Sequence, residues 1–426
     1  MTGVHMADNR TTSLVDETIR QLDNIMNITP RQAAKDVVKK AMGRSVRSKD
    51  PMFWPSGMLI LGLVTSLGIL KEDDKLKAKA LKSLDDHLKL WQTRYGGRLD
   101  FVDDALAGYG VIRLYEKTQD QTHRQIIDRI NQFVLEAPTD YAGSIIYNKG
   151  KGNTCIFSDG IGQTTMFMAA FIRMKMIIQE QLYDGRNESE IQYYSESDYL
   201  NEISKLYIQF INFYRYGRDK KSGLIYHGYS LIGRNDLDYD SRKTIAARVA
   251  KEYSMEHECQ RHGLLGWGRA CGWLMMGLSE SAGLEKYLLQ KGKTISQRTD
   301  FSLIQWFVEL CNIVMDYQRD DGGWSWQIQA IDGHIDMSAT GMIAYSLAKG
   351  ISEGIIEKDS EIHDRVEKSL DRAVECMLAH TKDGVVLDAL SSCDDFGVHY
   401  QSYGNFPWGQ GAALAAIAAT MSRDAK

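Results

Sequence analysis

Proline is scarce: five prolines occur in 426 residues, so long stretches can run as helix without a breaker. The six cysteines, Cys155, Cys259, Cys271, Cys311, Cys376 and Cys393, form no CxxC pair, and several stand in apolar helical runs. That spacing excludes a zinc site or a disulfide framework as the expectation and leaves the thiols as packing groups. No set of His, Cys and carboxylate residues has metal-ligand spacing, so neither a metal nor a cofactor is expected. An excess of positive charge is also missing. Against 56 acidic residues stand 51 Lys and Arg, a formal charge of −5, which excludes the global field that gathers nucleic acid or an anionic membrane. Any anionic ligand has to be held locally. The best apolar run, Met58 to Leu70, is interrupted by Gly62, Thr65, Ser66 and Gly68 and is too short to span a bilayer. With a polar N-terminus, this leads to the expectation of a cytoplasmic protein. Residues 1–29 read as an N-terminal segment ahead of a single domain over 30–426, and the opening Met1 to Met6 carries no structural weight.

Hydrophobic residues make up 43% and charged residues 25%, enough apolar material for a large core. Helical periodicity dominates, in two kinds of segment. The first kind is amphipathic and charged along one side: Arg31–Gly43, Lys71–Tyr95, Gln119–Leu135, Asp198–Tyr216, Asp300–Gln318 and Ser360–His380. The second is apolar nearly all round and rich in Gly, Ala and Ser: Trp54–Leu70, Asp103–Tyr115, Asp159–Ile177, Trp267–Leu284, Asp336–Ile351 and Trp408–Thr420. The two alternate six times, charged segment first. An inner ring of helices wrapped by an outer one satisfies that order, so the expected fold is an all-α (α/α)6 barrel. About a hundred residues separate the third and fourth inner segments, with a loop or hairpin excursion near Gly217–His262.

Strict alternation makes all six inner helices parallel and gathers their N-termini at one mouth. Trp54, Asp103 with Asp104, Asp159, Trp267 with Arg269, Asp336 with Ser338, and Trp408 all stand there. An Asp at a helix start has the plain duty of N-capping. Several carboxylates interleaved with tryptophans point instead to a sugar site, where flat rings cover pyranose faces and polar groups fix hydroxyls.

The segment Trp267-Gly268-Arg269-Ala270-Cys271-Gly272-Trp273 resembles the WGRxxGW signature of unsaturated uronyl hydrolases, glycoside hydrolase families 105 and 88. Val102-Asp103-Asp104-Ala105-Leu106-Ala107-Gly108, Ser158-Asp159-Gly160, Ser222-Gly223-Leu224-Ile225-Tyr226-His227-Gly228 and Ser338-Ala339-Thr340-Gly341-Met342-Ile343-Ala344-Tyr345 are similar to further elements of those families, in the same order. The similarity runs from about Trp54 to the C-terminus.

The resemblance implies that Asp159 is the general acid/base and Asp103 the second essential carboxylate. It also implies hydration of the 4,5-double bond of a terminal uronic acid in place of direct displacement at the glycosidic carbon. Burial beneath aromatics and an ionised Asp103 nearby are expected to keep Asp159 protonated against the pull of the helix dipole. Arg269 and His227 are candidates for the uronate or its hydroxyls, and Trp54, Trp267 and Trp273 for stacking platforms or pocket walls. The expected partner is an unsaturated oligosaccharide, with no nucleic acid and no membrane, and the expected state a monomer or homodimer. Members acting on rhamnogalacturonan fragments often carry a histidine shortly before the acid, where this chain reads Ile145-Ile146-Tyr147-Asn148; the departure bears on which substrate is taken. Asp394, Asp395 and His399 read as a solvated turn bordering the mouth.

Other readings have less support. Tyr317-Gln318-Arg319-Asp320-Asp321-Gly322-Gly323-Trp324 resembles a turn of terpene cyclases, and equally fits a link between an outer helix and a short hairpin. An inverting hydrolase of intact glycans needs two carboxyls spaced for a water. An epimerase usually has a histidine pair in its pocket, and the ten histidines here mostly lie away from the inner-helix starts. A carbohydrate-binding protein has no use for Asp103 together with Asp159.

Overall fold

The computed structural model describes residues 2–25, 52–71, 74–147, 154–185, 196–233, 257–293, 301–392 and 401–424, with residues 34, 35, 37, 38 and 41. Among them are twelve α-helices: α1 (Thr2–Ile25), α2 (Trp54–Ser66), α3 (Lys75–Tyr95), α4 (Ala105–Thr118), α5 (Gln121–Leu135), α6 (Ser158–Gly185), α7 (Glu196–Asn212), α8 (Gly268–Gln290), α9 (Leu303–Met315), α10 (Met337–Ser352), α11 (Glu361–Ala379) and α12 (Pro407–Asp424). The even-numbered helices pack in the order α2, α4, α6, α8, α10, α12, and α12 closes back on α2. The odd-numbered ones lie outside them. This is the (α/α)6 barrel that the alternation predicts.

Close approach is what the small residues of the inner helices permit. A Cβ on Gly162 of α6 would stand 2.1 Å from the carbonyl oxygen of Trp273 in α8, and one on Gly411 of α12 would stand 2.1 Å from that of Met58 in α2. Neither helix pair could keep its spacing with alanine there. From Gly268 to Glu285 every residue of α8 is buried, which is why the sequence shows no polar face. Outer helices have one: in α5 the buried set is His123, Ile126, Ile127, Ile130 and Val134, a stripe at helical spacing. Helix starts are capped by side chains, Asp74 accepting from Leu76 N at 2.8 Å, Asp120 from Thr122 N at 2.8 Å and Ser302 from Gln305 N at 3.2 Å.

The first outer helix differs from expectation. Residues 2–25 form α1, with Leu14, Val15, Ile19 and Leu22 fully buried, and α1 packs against α2, α3 and α12 across the seam of the ring. Its buried residues recur every three or four positions among small polar ones, a weaker signal than the charge pattern of Arg31–Gly43. That segment lies largely outside the described residues; Ala34, Lys35, Val37, Val38 and Ala41 are helical and exposed.

Seven short strands also lie among the described residues. β1 (Ile156–Phe157), β2 (Gly228–Gly233) and β3 (His257–His262) form one antiparallel sheet with Ile156 opposite Tyr229 and Gly228 opposite His262. β4 (Thr381–Lys382) pairs with β5 (Val385–Val386), and β6 (Ala389–Leu390) with β7 (Tyr403–Gly404). Each lies between the end of an outer helix and the start of an inner one, so the hairpin excursions stand at the mouth. Trp324 of the Gly-Gly-Trp turn is fully buried and donates from Nε1 to Val314 O at 2.8 Å, linking α9 to the Ser325–Ile335 bridge ahead of α10. Asp394, Asp395 and His399 fall outside the described residues, as does Cys393. No helix among the described residues is long and apolar enough to cross a membrane.

Candidate active site

Two neighbouring inner helices carry the acidic pair. Asp103 lies in the 3-10 turn Val102–Asp104 that leads into α4, and Asp159 is the second residue of α6; the turn packs directly on α6. Both carboxylates therefore stand at the same mouth. Asp159 is partly exposed, with 15% of its side chain open. Asp103 is buried, at 2%.

Asp159 owes its main partner to the sheet. The amide of Ser158 donates to the carbonyl of His227 at 2.9 Å, which leaves His227 Nε2 2.9 Å from Oδ2 of Asp159, 68 positions away in the chain. One proton serves that contact, held either on the carboxyl or on the imidazole. Ser158 Oγ donates to the same oxygen at 3.2 Å. Around Asp103, the hydroxyl of Tyr147 donates to Oδ2 at 2.6 Å.

Aromatic rings continue round the mouth from this pair. Tyr147 meets Phe157 edge-on at 5.2 Å, Phe157 lies 4.9 Å from the His227 ring, and His227 lies 4.4 Å from Trp267. The Arg269 guanidinium sits over Trp267 at 4.7 Å and over Trp408 at 5.7 Å. Trp408 contacts Trp54 at 4.6 Å, Trp54 contacts Phe53 at 5.9 Å, and Phe53 contacts Phe101 at 5.8 Å, two residues before Asp103. The circuit closes on itself. Rings of this kind give apolar faces for pyranose stacking with few polar groups between them.

The residues expected to bind substrate take different places in that circuit. Trp54 and His227 are partly exposed. Trp267 is 2% exposed, and Trp273, 1% exposed, backs Trp54 edge-on at 6.2 Å. Arg269 is buried too: NH1 donates to Leu390 O and NH2 to Ser391 O, each at 2.9 Å. Its guanidinium thus ties the β6 strand to α8. Two further acids act as structural caps. Asp104 Oδ2 accepts from the amides of Asp100 and Phe101. Asp336 Oδ1 accepts from Ser338 N, Ser338 Oγ and Leu390 N. Tyr147, Phe157, Phe53 and Phe101 have no assigned role from sequence. Phe157, two residues ahead of the acid in β1, is the one whose position carried a signal.

Among the described residues one group, His363, Asp364 and Glu367 of α11, brings three possible metal-ligand atoms within 4.8 Å. It lies at the start of an outer helix, at the barrel end opposite the mouth, with His-carboxylate distances of 3.8 and 3.9 Å.

Comparison with known proteins agrees with the fold. The barrel is similar to a possible member of glycoside hydrolase family 105 from Salmonella enterica serovar Paratyphi A, at 15% identity and a TM-score of 0.65 over 97% of this chain and 94% of that one. It is similar to an unsaturated glucuronyl hydrolase specific for heparin, at 14% identity and a TM-score of 0.63 over 98% and 99%. A third likeness is to the unsaturated glucuronyl hydrolase of Bacillus sp. GL1, at 14% identity and a TM-score of 0.58 over 86% of each chain. At these identities the likeness is one of fold. No curated protein matches the sequence. The family comparison reaches further, because residues 24–423 match Glycosyl Hydrolase Family 88, and the chain belongs to that family of glycoside hydrolases.

Proposed function

We propose that Asp159 is the acid/base of this hydrolase and Asp103 its second carboxylate, in a reaction that removes a terminal 4,5-unsaturated uronic acid from an oligosaccharide. The observation that carries the reading is the pair itself: two carboxyl groups from adjacent inner helices at one aromatic-lined mouth, one partly open and joined to an imidazole, the other buried and joined to a phenol. The proton that Asp159 shares with His227 is delivered to C4 of the double bond. Water then adds at C5 as Asp159, now a carboxylate, takes up its proton, and the resulting hemiketal opens to release the rest of the sugar chain. A single carboxyl alternates between acid and base, and His227 keeps it oriented in both states. Trp54 offers the partly open ring for stacking, with Trp267, Trp273 and Arg269 as the wall behind. The unsaturated fragment is the product of a polysaccharide lyase, and the protein acts on it in the cytoplasm; the five described cysteines, all free thiols, accord with a reducing compartment.

The test is direct. The protein is incubated with unsaturated disaccharides made by pectin, glycosaminoglycan and ulvan lyases, and the ultraviolet absorbance of the double bond is followed. Loss of absorbance with one of them is expected and identifies the linkage and the neighbouring sugar that the site accepts. No loss with any of the three would transfer the site to intact glycans.

A further inference from the structure

We propose that Tyr147 is a positioning residue, whose hydroxyl holds Asp103 as an oriented carboxylate beside Asp159. The proposal rests on the assignment of Asp103 and Asp159 above. The 2.6 Å contact from the phenol to Asp103 Oδ2 has the length of an O–H···O⁻ hydrogen bond. Because Asp103 is buried, its charge has to be met by protein groups, and a donor aimed at the carboxylate favours the ionised form. The same bond fixes the rotamer, since Oδ2 is committed to Tyr147.

Three contacts hold the phenol in place. The amide of Tyr147 donates to Cys155 O at 3.0 Å. Its ring meets Phe157 edge-on. On another side it lies against Gly160, where a Cβ would come within 2.9 Å of ring atom Cδ2. The residue after Asp159 thus leaves open the space through which Tyr147 reaches Asp103. One side chain touches the backbone beside the acid and the carboxylate of its partner, so the spacing of the two depends on it. Among the described residues, the ionisable groups of its own turn and of α6 and the sheet packed against it include Asp100, Asp104, Asp159 and His227; the Tyr147 hydroxyl adds a donor aimed at the carboxylate.

The experiment measures kcat/KM against pH for the wild type and Tyr147→Phe, on the unsaturated disaccharide that the wild type consumes. Removing one hydrogen bond to a buried charge is expected to lower kcat/KM about ten- to hundredfold. It should also move the acid limb of the profile, which reports ionisation of Asp103, to higher pH. A phenylalanine variant with full activity, or one with lower activity and the limb in place, would overturn the proposal and leave Tyr147 as a wall. If Tyr147→Phe does not fold, 3-fluorotyrosine at position 147 keeps the shape and strengthens the donor; the limb then has to move to lower pH, and an unmoved limb refutes the proposal. A wild type that consumes no unsaturated disaccharide removes the underlying assignment, whereas wild-type turnover with a fixed limb removes only the role of Tyr147.

Discussion

The two ends of the barrel treat buried charge in opposite ways. At the closed end, Glu280 of α8 pairs with Arg113 of α4 and, at 3.2 Å, with Lys349 of α10, and also accepts from Tyr109 OH at 3.0 Å. Glu353 receives Lys349 and Arg173 at 2.8 and 2.7 Å. Burial pushes both carboxyls up, yet the cations outweigh it: Arg113 and Lys349 hold Glu280 below its ordinary range, and Lys349 and Arg173 hold Glu353 far below it. At the mouth, Asp159 is met by an imidazole and a hydroxyl, and Asp103 by a phenol. Full ion pairing fixes a protonation state and ties helices together. An imidazole can give or take a proton at Asp159, whereas a phenol donating to Asp103 favours the carboxylate. Among the described residues, the scaffold concentrates its buried cations on the carboxyls that tie helices together.

The contrast would break if mouth and closed end responded alike to neutral substitution. The largest effect is expected from Asp159→Asn, which removes the transferable proton: kcat should fall about 10²- to 10⁴-fold while the thermal midpoint stays within a few degrees of wild type. Near-normal turnover of the unsaturated disaccharide would show that the acid lies elsewhere. Glu280→Gln should do the reverse. It leaves the partly buried Arg113 and Lys349 without their shared counter-charge, though each keeps a second carboxylate, Glu116 and Glu353; a loss of up to about 3 kcal/mol is expected, visible as a lower denaturant midpoint with kcat of the folded fraction retained. A variant as stable as wild type would mean that the cluster is not a structural clamp.

The smallest and sharpest test is pH. For Glu280 and Glu353 the folded value lies below the unfolded one, near 4.5, so their stabilisation is complete above that value and is lost as pH falls from there towards the folded values. The stability gap between wild type and Glu280→Gln should therefore be widest near neutrality and narrow below about pH 4.5. Denaturant titrations at several pH values would detect it, and a gap constant with pH would contradict the pairing.

Much of this architecture was legible in the chain because burial on all sides leaves a compositional mark. Helices such as α8 and α12 carry Gly, Ala and apolar residues all round, and no solvated helix can. Helix α1 escaped notice since Thr11, Ser13 and Thr18 dilute its buried stripe, so the more highly charged Arg31–Gly43 drew the assignment. That Asp103 and Asp159 stand at one mouth was legible from their places at the starts of inner helices. The contact between Asp159 and His227 was not, as it depends on β1 pairing with β2 across an insertion, a long-range register that local pattern does not encode. Arg269 shows the opposite limit: its position was read, but its engagement with the carbonyls of Leu390 and Ser391 depends on a strand some 120 residues away.

The seam where α12 meets α2 under α1 has a consequence for biosynthesis. Gln410 of α12 donates to Leu14 O, Thr18 Oγ1 and Gly384 O and accepts from Val386 N, so one amide from the last helix locks the first. A ribosome delivers α1 and α2 long before α12 exists. Until then their seam-facing apolar surfaces, Leu14 and Met58 among them, lack their native cover, and the nascent chain carries them in that state for nearly the whole length of its translation.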